Sequence, residues 1–166
     1  MSFVRRTDPA WLAVAGILML GGALLFQHVG GLQPCVLCLY QRWPWGVAIG
    51  LGIIALIFLR QPKARGVIAG LGGLTLLVGA GIAAFHVGVE QGWWEGTPGC
   101  GGAPLSGGSI EDITAQLLAT PVIRCDEVAW SLAGISMAGY NFLISLVLAI
   151  VALIAAPRLW RRTTAV

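Results

Sequence analysis

The stretch Pro34-Cys35-Val36-Leu37-Cys38-Leu39-Tyr40-Gln41-Arg42 packs two thiols and a guanidinium into nine residues of an otherwise apolar chain. Cysteines three positions apart at a helix start can close a small disulfide ring, and the N-terminus of a helix favours the thiolate. Proline at position 34 suits such a start. On a helix, Cys38 and Arg42 stand four residues apart on one face, within reach of each other or of a shared acceptor. The segment is a candidate redox centre, although the same spacing also serves zinc sites and inert disulfides.

Two further cysteines make a natural second pair. Cys100 lies in Thr97-Pro98-Gly99-Cys100-Gly101-Gly102, whose glycines predict an accessible sulfur, and Cys125 lies in Arg124-Cys125-Asp126-Glu127. A four-cysteine zinc site would normally carry two Cys-x-x-Cys knuckles, and this chain has one. His28 ends an apolar run and reads as an interfacial residue. His86, four residues before Glu90, is expected at the depth of the Cys-x-x-Cys helix, either simply wetted or donating to a ligand. An alternative to redox chemistry is a small membrane scaffold whose two disulfides only brace its loops; exchange with an added dithiol separates the two.

The elements that must hold these residues are membrane helices. With 57% hydrophobic and 10% charged residues and a mean hydropathy of +0.85, the composition is that of an integral membrane protein. Four stretches, about 10–29, 44–59, 66–89 and 138–156, are long enough to cross roughly 30 Å of hydrocarbon as helices. They lack the alternation of barrel strands, so the expected fold is all-α: a four-helix transmembrane bundle forming a single transmembrane domain over residues 1–166. The run after Pro9 is longer than a signal core and reads as a retained anchor.

Redox loops are expected at about 30–43 and 90–137. In the second loop, Ser109 and Asp112 resemble a helix cap, and Ile110, Ile113, Leu117 and Leu118 share a face before Pro121. A short interfacial helix is predicted there. Pro44, between Trp43 and Trp45, removes an amide that would bond the Tyr40 carbonyl, which predicts a break or kink. The two tryptophans form an interfacial belt or, with Tyr40, wall a slot for a planar ligand. Gly46-x-x-x-Gly50, and Gly66-x-x-x-Gly70 with Gly73, are assigned to close helix packing.

Charge sets the orientation. Arg5, Arg6, Arg60, Lys63, Arg65, Arg158, Arg161 and Arg162 fall on one side of the four spans, and only Arg42 and Arg124 on the other. Both termini are therefore expected in the cytoplasm and all four cysteines outside it, where disulfides persist. The net charge of +3 is scattered over segment ends and forms no patch, which excludes nucleic-acid binding.

The chain resembles the disulfide-bond-formation protein B (DsbB) family of bacterial inner-membrane thiol-quinone oxidoreductases. The matching residues are Pro34-Cys35-Val36-Leu37-Cys38 with Gln41-Arg42, then Pro98-Gly99-Cys100-Gly101, then Cys125-Asp126-Glu127 with Trp130, Leu132, Gly134, Ile135, Ser136 and Met137. The resemblance implies that a periplasmic DsbA-type partner of thioredoxin fold is oxidised through Cys100 and Cys125. Cys35 and Cys38 would reoxidise these and pass two electrons to ubiquinone or menaquinone in the bilayer. It also implies that Arg42 binds the quinone and holds the Cys38 thiolate, with His86 beside it. The vitamin-K-epoxide-reductase-like family is an alternative, but there Cys-x-x-Cys begins the last span, and here it begins the second.

Overall fold

The computed structural model describes residues 9–58, 60–101, 109–111, 114 and 123–161. Backbone polar groups in hydrocarbon must be paired within their own segment, and the four apolar stretches are helices: α1 (Trp11–His28), α3 (Arg42–Ile57), α4 (Pro62–Glu90) and α5 (Met137–Arg161). A short helix, α2 (Val36–Tyr40), carries the Cys-x-x-Cys segment, and a 3₁₀ turn spans Pro98–Gly101. Helices α1, α4 and α5 are long and apolar enough to cross a membrane. Helix α3, with 16 residues, rises about 24 Å and packs between α1 and α4, while α4 packs along α5. The result is an all-α membrane bundle.

Its interior packs many small residues around Leu12, Trp45 and Leu76, and its exterior is made of large apolar ones. Ala48, Ala55, Ala69, Ala80, Ala83, Ala149 and Ala152 are buried, whereas Val14, Leu18, Leu25, Ile57, Val78 and Val147 face outward. That inversion suits lipid, where helices associate by close packing and hydrogen bonding instead of by hiding apolar surface from water. Gly52 lies against the backbone of Ala13, and Gly73 sits under Leu153 and the Ala149 carbonyl; a Cβ at either position would collide. Gly66 and Gly70 also face α5. Gly46 and Gly50 do not pack: both are exposed, with open space around them. The contact face of α3 runs through Ala48, Gly52 and Ala55 instead.

The chain breaks between α2 and α3 at Gln41, beside the Tyr40 carbonyl that Pro44 leaves without its helical partner. Pro44 itself, like Trp43, is inside the first turn of α3, where a missing amide costs little. Before α5 the chain makes a hairpin absent from the sequence expectations, β1 (Ser131–Leu132) paired antiparallel with β2 (Ile135–Ser136). Its two turn residues, Ala133 and Gly134, both have positive φ, 51° and 78°, as a twisted two-residue hairpin turn requires. Ser136 then caps α5 by accepting from the Gly139 amide at 3.1 Å, and its hydroxyl donates to the Glu90 carboxylate at the end of α4. In the expected interfacial helix, the Thr114 hydroxyl donates to the Ile110 carbonyl at 2.7 Å; Asp112, Ile113, Leu117, Leu118 and Pro121 lie outside the described residues.

Candidate active site

Cys35 caps α2 with its own sulfur. Its backbone is extended, so the side chain turns back over the helix start and accepts from the Cys38 amide at 3.1 Å. The two sulfurs are 2.7 Å apart and both stand as free cysteines. His86 on α4 brings Nε2 to 3.6 Å from the Cys35 sulfur. These donors converge on Cys35: the Cys38 thiol, then His86 and the Cys38 amide, hold its pKa down at about 4 against the opposing effect of burial. Cys38 is pushed well up by hydrogen bonding to its neighbour's sulfur and by burial. The Cys38 amide and His86 both face the Cys35 sulfur and favour the thiolate there. The resemblance implies a thiolate on Cys38 held by Arg42, whereas the capping geometry and His86 favour the other sulfur.

Cys100 and Cys125 form a disulfide with their Cα atoms 5.0 Å apart. Both are buried, Cys100 at 7% exposure and Cys125 at 0%, in one cluster with Cys35, Leu37 and Val89. The accessible Cys100 expected from its glycine-rich flanks is not what the fold contains. Those glycines let the loop descend instead: Gly99 lies on Val36 of α2, and Gly96 lies against Cys100 itself. Arg124 pairs with Asp126 through both carboxylate oxygens in an exposed ion pair, which holds the Asp126 carboxyl below its ordinary range.

Cys35, Cys38, Arg42 and His86 line one cavity of about 440 Å³ between α1, α2, α3, α4 and α5; the loop disulfide does not line it. Its walls are mostly apolar, with Phe26, Trp45, Trp130 and Tyr140 as aromatic members. The aromatic slot of Tyr40, Trp43 and Trp45 does not form, because Trp43 and Tyr40 point outward, 74% and 49% exposed, and only Trp45 is inside. Phe26 and Trp130 pack at 5.2 Å between ring centres and supply the aromatic wall in its place.

Three residues at the site escaped the sequence reading as functional candidates: Gln41, Asn141 and, as a polar group, Trp45. Gln41 contacts His86 Nδ1 at 2.8 Å, Asn141 contacts Gln41, and the Trp45 indole contacts Asn141 at 2.8 Å. Asn141 had a legible signal, since an amide inside an apolar span is costly unless paired. Gln41, next to Arg42 at the end of the Cys-x-x-Cys helix, carries no such signal.

The family profile described as "Disulfide bond formation protein DsbB" matches residues 5–155. Several proteins named "Disulfide bond formation protein B" are similar over most of their length. That of Nitrosococcus oceani is 33% identical over 158 residues, 89% of this chain and 91% of its own. That of a Polaromonas species is 32% identical over 166 residues, 95% and 94% of the two chains. A Rickettsia prowazekii protein named "Uncharacterized protein RP370" is 30% identical over 141 residues, 84% of this chain and 80% of its own. No solved structure matches. A membrane bundle that sets one dithiol beside one disulfide, with a match over nearly its whole length, belongs to the DsbB family of membrane oxidoreductases of disulfide bond formation.

Proposed function

We propose that the chain is a thiol:quinone oxidoreductase that reoxidises a periplasmic dithiol oxidase of the DsbA type and delivers the electrons to ubiquinone or menaquinone. The observation that carries this reading is the single cavity lined by Cys35, Cys38, Arg42 and His86. A planar ring system with carbonyl oxygens and an isoprenoid tail fits this donor set: a guanidinium for a carbonyl, and aromatic and aliphatic walls for ring and tail. A quinone, when bound, supplies an acceptor for two electrons and two protons. Arg42 would hold the oxygen and Phe26 and Trp130 the ring, while His86 forms the wall beside Cys35.

The partner's thiolate attacks one sulfur of the Cys100–Cys125 disulfide, and its second thiol resolves the mixed disulfide. The partner leaves oxidised and the loop cysteines become thiols. The same exchange with a Cys35–Cys38 disulfide restores the loop bond and moves two electrons and two protons onto Cys35 and Cys38. Both termini lie in the cytoplasm of a bacterium and the redox loops in its periplasm, a reading supported by the eight basic residues on one side of the spans.

The test is purified protein with a reduced DsbA-type partner and a soluble quinone. Quinone reduction that requires the partner is expected. If none occurs, and Cys100–Cys125 fails to exchange with the reduced partner, the two pairs are bracing disulfides of a scaffold.

A further inference from the structure

A chain of buried side chains crosses the bundle and ends on the Cys35 sulfur. The Trp45 indole and the Ser145 hydroxyl both contact Asn141 Oδ1, at 2.8 and 3.3 Å. Asn141 Nδ2 contacts Gln41 Oε1. Gln41 Nε2 contacts both the Leu37 carbonyl, at 3.3 Å, and His86 Nδ1, at 2.8 Å. His86 Nε2 faces Cys35.

Two groups in this chain have no choice of role: an indole N–H only donates, and a backbone carbonyl only accepts. Trp45 therefore forces Asn141 to present its oxygen to α3 and its amide hydrogens to Gln41. Leu37 independently forces the Gln41 amide nitrogen toward α2 and His86. Both constraints make Gln41 the donor to Nδ1, so Nδ1 holds a lone pair and the ring proton of neutral His86 sits on Nε2.

We propose that Trp45, Asn141 and Gln41 are positioning residues that lock His86 as the Nε2–H tautomer, so that it serves Cys35 as a fixed hydrogen-bond donor and not as a base. The inference rests on reading Cys35 and Cys38 as the redox pair. It also decides a second question. The Cys35, Cys38 and His86 ligand atoms lie within 4.8 Å of one another, close enough to share a metal ion. A metal needs the Nε2 lone pair. Freeing it would reverse the chain, turning the Asn141 amide hydrogens against the Trp45 indole N–H and the Gln41 oxygen against the Leu37 carbonyl. The chain therefore disfavours a thiophilic metal at this trio.

The test uses full-length protein labelled with ¹⁵N-histidine, in detergent, with Cys35 and Cys38 reduced and His28→Gln removing the other histidine signal. The expected spectrum has Nε2 protonated and Nδ1 bare; Nδ1 protonated, or both nitrogens protonated, overturns the proposal. Gln41→Met should abolish the single tautomer and move the midpoint of Cys35 alkylation against pH upward by about one to two units. His86→Gln, whose amide can still donate, should keep that midpoint low, whereas His86→Ala should not. Loss in His86→Gln equal to that in His86→Ala would mean the ring acts as a base and would sink the idea. The other ionisable groups around the pair, Cys38, Arg42, Glu90, Arg124 and Glu127, are intact in every variant. Closure of Cys100–Cys125 in each variant reports that the fold is retained. Because the spectrum needs no turnover, a correct tautomer without quinone reduction would remove the proposed function and leave the tautomer lock, and the reverse result would remove only the lock.

Discussion

A thiolate on Cys35 has a pH signature. With its pKa lowered from an ordinary 9.0 to about 4, the group stabilises the folded dithiol form fully above pH 9. That contribution declines as the pH falls and is gone below about 4. Alkylation of the reduced protein at pH 5–6 should label Cys35 and spare Cys38, read by peptide mass spectrometry; preferential labelling of Cys38 would reverse the assignment. Arg42 is tested separately. Arg42→Met should raise the apparent quinone KM roughly ten- to hundred-fold, the equivalent of losing a charge-assisted hydrogen bond of about 1.5–3 kcal/mol. Lysine should rescue only in part, since it lacks the planar fork. Steady-state kinetics with varied quinone decide, and an unchanged KM in Arg42→Met removes that residue from the site. At this scale residue type and spacing point to the four cysteines, Arg42 and His86 as candidates, and the fold brings Cys35, Cys38, Arg42 and His86 to one cavity. Which sulfur carries the charge was not legible, because the cap geometry and the approach of α4 are tertiary facts.

The helices were legible because apolar runs in lipid leave the backbone few other choices, but their faces were not. A small-x-x-x-small pattern marks a surface that permits close approach without saying whether a partner arrives. Gly52→Ala should lower stability by about 1–3 kcal/mol in thermal unfolding in detergent, since Ala13 backbone occupies the space, whereas Gly46→Ala and Gly50→Ala should be neutral. Equal effects at all three positions would contradict the contact face assigned to α3. Ala133 holds a left-handed conformation that costs an L-residue about 1–2 kcal/mol, so Ala133→Gly should be neutral or stabilising by a similar assay. Hydrogen bonds between membrane helices average only about 0.6 kcal/mol, and loss of the Asn141 amide should leave the bundle folded. This small stability term is why the polar chain matters for orientation more than for holding α3 to α5.

For the whole molecule, orientation follows from charge and is open to direct measurement. After reduction of intact cells, a membrane-impermeant thiol reagent should reach the loop cysteines; labelling that requires lysis would invert the topology. Cys125→Ser should trap the partner on Cys100, the less deeply buried sulfur of the pair. A covalent complex through Cys35 or Cys38 would break the proposed order of exchange. Family and architecture were legible in three motifs spaced along one membrane chain, whereas the descent of the second loop onto α2 was not. Glycine-rich sequence reads as exposure when its neighbours are unknown, and here it permits contact.

The burial of that loop disulfide bears on leakage. Thiol exchange needs a thiolate in line with the sulfur–sulfur bond, and Cys100 and Cys125 leave it almost no open approach. Small thiols such as glutathione should therefore discharge the protein slowly however concentrated they are, while a macromolecular partner able to lift Gly99 from Val36 gains entry. Insulation, and not oxidising strength alone, would then keep the electron circuit from being shorted by the surrounding thiol pool.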